Sequence, residues 1–223
     1  IAGPRDGRRE RVAAALRANL HRRKAQIRER ALVASEAEIA DILDFWFDNP
    51  PTDAMREIWF KNDPAFDAEI RRRFQGDVDA AREGTRDDWA RTARGALALL
   101  LLLDQIARNL YRGEALAFAG DARAHRVAEG AIAAGFDLAH APIARVFFYL
   151  PFEHSEDLSD QDRALALFER LPPAPWRDRT LEFARRHRDI VRRFGRFPHR
   201  NPALGRTSTP EEIEFLKEPG SSF

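Results

Sequence analysis

Cysteine is missing from this chain altogether, and its 223 residues hold one methionine and two tyrosines. Without a thiol there is no disulfide framework, no thiolate nucleophile and no cysteine-ligated metal. No apolar run approaches the ~20 residues that span a bilayer, so no transmembrane segment is expected. β-Branched residues are scarce, and no stretch alternates apolar with polar as a half-buried strand does. There is no glycine-rich phosphate loop after a strand, no Gly-x-Ser-x-Gly elbow, and no His-x-x-x-His or Glu-x-x-His pair. Serine hydrolases of the elbow type, nucleotide-binding loops and helix-borne zinc sites are thereby disfavoured, and no cofactor or resident metal is expected.

What is present is helical. Ala, Leu, Arg and Glu dominate, and these residues lose little side-chain freedom in a helix. Hydrophobic residues at 44% suffice for a core, while 33% charged residues imply long solvated faces. The expectation is an all-α protein, a stack of antiparallel helices. The net charge of +1 conceals segregation. Residues 1–34 carry ten Lys/Arg against three Asp/Glu, and Trp176 to Arg206 repeats that ratio. Between them, Glu153 to Asp162 is acidic. Such segregation marks internal docking or a partner surface.

Residues 8–32 read as a basic amphipathic helix with Val12, Leu16, Leu20 and Ile27 on one stripe. Residues 1–34 are therefore set apart as an extension, and 35–223 as one domain. The extension has two readings: a solvated tail, or a docking helix for an acidic partner or RNA that tethers the chain to a larger assembly. It lacks the apolar core of a signal peptide, so a cytoplasmic location is expected, with Ile1 standing at a trimmed start. Ser35 with Glu38 forms a capping box before Ile39, Ile42, Leu43, Trp46 and Phe47. Asp63-Pro64 opens a helix whose Phe66, Ile70, Phe74 and Val78 recur every four residues, and Gly84 stops it. Pro151 is expected to kink or end the helix that begins at Pro142. Ser159 is the expected cap of the next.

The central stretch is GALALLLLLDQIARNLYRG, Gly95 to Gly113. Ala96 to Leu103 is apolar on every side and belongs inside a bundle. Asp104, Gln105, Arg108 and Asn109 follow at the same buried level. Buried ionisable groups are costly unless partnered, so the chain must supply partners. Two later segments have matching polarity in aromatic surroundings. One is FYLPFEHSEDL, with Glu153 and His154. The other is RFGRFPHRNPALGRTSTPEE, with His199, Arg200, Asn201 and Arg206. Those ten residues are the candidate ligand-binding set. Asp104 with Arg108 reads as an intrahelical pair that either braces a loop or meets a ligand. His187, on an apolar face, reads as a core histidine.

These three segments, with ILDFWF at Ile42 to Phe47, stand in one order over about Glu36 to Phe223. In that pattern the chain resembles the bacterial domain-of-unknown-function 924 family. The resemblance implies an all-helical, tetratricopeptide-like fold and carries no catalytic residues with it. Ile106-Ala107 stands where a Phe-Pro pair is expected, which implies a straighter helix here.

Two functional classes stay open. The first is a binding or scaffold protein that takes an acidic peptide, a protein or a small anion on a polar pocket. The second is a hydrolase or lyase with His154 or His199 and Glu153 as general acid and base. A metal would require Asp104, Glu153, His154 and His199 to converge, and no local spacing suggests that.

Overall fold

In a computed structural model, the described residues are 23, 24, 33 and 35–222. They contain helices and turns and no strand, so the chain is all-α as its composition requires. The chain divides into two compact units, 1–43 and 44–223. Of the first unit, Ile39, Ile42 and Leu43 are buried on a helical stretch. The basic segment 8–32 lies outside the described residues except for Arg23 and Lys24, which are helical and exposed.

Helix α1 covers 35–47. Val33 is already helical, so Ser35 lies within a helix and does not cap one. Asp48 ends α1 in the left-handed region, at φ 64°, a conformation that Asp tolerates better than most residues. Asp63 caps α2 (Pro64–Glu83) by accepting from the backbone N–H of Ala65 and Phe66, and Gly84 closes it at φ 85°. Ile70, Phe74 and Val78 are buried along its inner face. Trp46, Trp59 and Phe147 pack as an aromatic cluster, with ring centroids 5.1–6.0 Å apart.

Thr92 caps α3 (Ala93–Leu100), and its hydroxyl accepts from Gly95 N–H. The same rod continues as a π-helical segment (Leu101–Ile106) and then as α4 (Ala107–Leu110). The hydrogen-bond pattern of the rod therefore changes from α to π and back before Ala107. The rod ends three residues before Gly113, which takes φ 82° in the following turn. Every residue from Gly95 to Ala107 is buried. Single π turns inside α-helices occur frequently at functional sites, and this one carries Asp104 and Gln105.

Helices α5 (Asp121–Ala133), α6 (Pro142–Glu153), α7 (Leu158–Glu169) and α8 (Arg177–Phe194) pack in sequence, each on the next for α5 to α8. Pro151 lies inside α6 without ending it: the His154 N–H still bonds the Leu150 carbonyl at 2.8 Å. The proline falls in the last turn, where few hydrogen bonds are left to lose. Asp157, not Ser159, caps α7 by accepting from Ser159 N–H. Helix α9 (Pro210–Phe215) opens with a complete capping box between Thr209 and Glu212. The helices range from 20 residues in α2 to 4 in α4.

One contact sets where α5 begins. A Cβ on Gly120 would stand 2.4 Å from the Leu103 carbonyl oxygen, so only glycine lets α5 start against the π segment. That approach delivers Asp121 to Arg108. Gly120→Ala must push two backbones apart and is expected to destabilise by about 1–3 kcal/mol, as overpacking does. Urea unfolding checks it; an unchanged midpoint would mean the approach constrains nothing.

Candidate functional site

The π segment and α4 present Gln105, Arg108 and Asn109 to a cavity of about 610 Å³. The end of α6 adds Glu153 and His154, α8 adds Thr180, Phe183 and His187, and the loop after α8 adds His199 and Arg200. Trp59, Phe60, Phe118 and Leu150 supply apolar wall. Seven of the ten residues picked out by sequence thus line one cavity: Gln105, Arg108, Asn109, Glu153, His154, His199 and Arg200.

Asp104 stands behind that wall, 2% exposed. Its Oδ1 accepts from His154 Nδ1 at 2.6 Å and meets Arg108 Nη2 at 2.9 Å. Its Oδ2 accepts from the Gln105 amide at 2.7 Å. Adjacent residues on a regular α-helix face apart; within the π segment Asp104 and Gln105 meet. Burial by itself would raise the Asp104 pKa, but Arg108 and His154 outweigh it and hold the carboxyl well below the usual range. Burial likewise lowers His154, partly opposed by Asp104, so its imidazole is neutral near pH 7. With Nδ1–H donated to Asp104, the ring offers Nε2 as an acceptor.

Arg108 also reaches Asp121 at 3.2 Å and donates to the Ala117 carbonyl at 3.0 Å. Arg200 donates to the same Asp121 at 3.2 Å. Both guanidiniums lie over Phe118, at 5.2 and 4.8 Å from its centroid. Two cations therefore share one carboxylate. Arg200 is buried, and burial together with Arg108 pushes its pKa down to about 10. Its Nε–H is buried with no hydrogen-bond partner among the described residues. Burial, then Arg200, pushes His199 down to about 3.

Asn201 and Arg206, expected to bind ligand, stand outside the cavity and serve a clasp. Arg206 pairs with Glu156 at 2.7 and 2.9 Å and donates to Asn201 Oδ1 at 2.9 Å. Glu156 also accepts from Phe197 N–H at 2.8 Å, and Asn201 donates to Ser208 and Glu212. The basic loop is thus fastened to the acidic segment by residues that have few bonds left for a ligand. No group of three or more His, Asp or Glu is arranged to hold a metal among the described residues.

Sequence reasoning passed over two participants. His187 Nδ1 stands 2.9 Å from Glu153 Oε1, and its ring centroid lies 6.1 Å from that of His154. The available signal was the i, i+3, i+7 spacing of Thr180, Phe183 and His187, which puts polar groups on the inner stripe of α8. Nothing local in the sequence revealed that Asp121 bridges two arginines.

A family model for bacterial proteins of unknown function, DUF924, matches residues 42–220. The chain belongs to that family. A solved structure with the same fold is a protein of unknown function, ATU0120, from Agrobacterium tumefaciens. It is 45% identical, with 82% of this chain and 98% of that one covered, at a TM-score of 0.74. Comparison with the curated proteins gives no match. The DUF924 family thus accounts for the fold and leaves the chemistry to be read from the cavity.

The histidines give this member a defined acid response. Unfolded, His199 takes up a proton near pH 6.5; folded, it resists until about 3. In that window the unfolded chain binds more protons, so stability is full above pH ~6.5 and falls as pH drops. His154 and His140 are shifted in the same direction. Between pH ~7 and ~5 carboxylates stay largely ionised in both states, so the slope reports histidines. The melting temperature should fall across that range, and His199→Gln should flatten the fall. A melting temperature that rises toward pH ~5 would contradict the assignment.

Proposed function

We propose that the cavity binds a small organic anion, a carboxylate or phosphate with an apolar portion. The reading is carried by Arg200, a buried guanidinium that lines the cavity and shares the Asp121 carboxylate with Arg108. An oxyanion in the cavity would give the Arg200 guanidinium a partner of its own, in a charge-assisted hydrogen bond. Lys61, Arg112 and Arg179 add cationic groups to the same wall, where Glu153 is the lone acid. The carboxylates that balance the arginines, Asp104, Asp121 and Asp67, stand behind the lining. An entering anion therefore meets donors first.

A volume of about 610 Å³ suits a small molecule better than an extended acidic peptide. The aromatic wall of Trp59, Phe60, Phe118 and Phe183 calls for an apolar body on the anion. Among the described residues no helix is long and apolar enough to cross a membrane.

Calorimetric titration with succinate and with phenyl phosphate tests the proposal. At least one should bind, and at ~100 times its Kd raise stability by about 2.7 kcal/mol. Arg200→Gln should weaken that binding by roughly 10- to 100-fold, the loss of one charged hydrogen bond. Failure of both anions to bind, or equal binding by the variant, contradicts the reading.

A further inference from the structure

The cavity proposed to take an anion also holds a histidine that is arranged for proton transfer. His154 sits at the C-terminal end of α6, its backbone N–H fixed by Leu150, and lines the cavity that Arg200 and Arg108 also line. Asp104 receives Nδ1–H at 2.6 Å and is itself held by Gln105 and Arg108, so the ring cannot turn without breaking a buried network. A carboxylate that orients an imidazole by Nδ1 leaves Nε2 as the base, and a guanidinium lining the same cavity can receive negative charge as it forms. That combination, a base and a cationic donor lining one cavity, is what hydrolysis of an ester requires.

We propose that this cavity hydrolyses esters of small carboxylic acids, with His154 as general base and Arg200 as the group that stabilises the oxyanion. The inference rests on the anion-binding reading above and adds a reaction to it. His154 Nε2 takes a proton from water as the water oxygen bonds to the acyl carbon. The carbonyl π pair moves onto oxygen, which accepts a hydrogen bond from the Arg200 guanidinium. The tetrahedral species then expels the alkoxide, which takes the proton back from His154. Ester and water become acid and alcohol, and the imidazole is neutral again. Asp104 is a positioning residue: it holds the tautomer and touches no substrate.

The probe is phenyl hydrogen succinate, whose free carboxylate and phenyl group match the arginines and the aromatic wall. The wild-type chain should hydrolyse it, and His154→Gln should lower the rate about 100-fold or more while still binding the ester. A substrate-free readout accompanies this. Nitrogen-detected NMR of the wild-type chain near pH ~7 should show His154 neutral and protonated on Nδ1. An Nε2-protonated or fully charged ring overturns the proposal whatever the rates. An ester that binds His154→Gln but is not hydrolysed by the wild-type chain overturns the reaction and leaves the binding reading standing. An ester that does not bind overturns both.

Discussion

A carboxylate with almost no exposure, Asp104, holds the organisation of this site. A buried charge is tolerated only when paired and hydrogen-bonded, and Asp104 meets that condition through three groups from two elements. Gln105 and Arg108 come from its own rod, and His154 comes from the end of α6. Satisfying the carboxylate therefore fixes the angle between the central helix and α6, and with it the wall on which Glu153 and His154 stand. The π turn allows adjacent residues to act together, and Gly120 admits α5 close enough for Asp121 to reach Arg108.

Charge is arranged in two layers around that centre. Arginines face the cavity, while Asp104, Asp121 and Asp67 lie behind them. The clasp of Glu156, Arg206, Asn201 and Glu212 sits apart and holds the loop that carries His199 and Arg200. The division explains why two similar arginines in one loop do different things. Arg206 commits its fork to Glu156 and the Phe197 carbonyl, whereas Arg200 lines the cavity.

Much of this was legible in the sequence because burial and polarity conflict visibly there. An all-apolar run ending in Asp-Gln-x-x-Arg-Asn demands partners, and the acidic and basic segments were the ones with matching polarity. Boundaries set by capping side chains at Asp63, Thr92 and Thr209 were equally readable. What could not be read was tertiary. The π turn has no local signature in Leu101–Ile106, Pro151 spares a helix only because so little of α6 follows it, and Val33 carries α1 past the serine that would have capped it. Asp121 became a bridge through a glycine's close approach, a contact that one-dimensional spacing does not encode.

The account stands on Asp104 and Arg108 acting as a coupled pair inside the wall and not as a surface pair. A double-mutant cycle on Asp104→Asn and Arg108→Gln, read by urea unfolding near pH ~7, measures that coupling directly. The expected interaction energy is roughly 2–3 kcal/mol, at the upper end for residues in one buried network. A value below ~0.5 kcal/mol, the range of exposed pairs, would contradict the claim that this carboxylate organises the site.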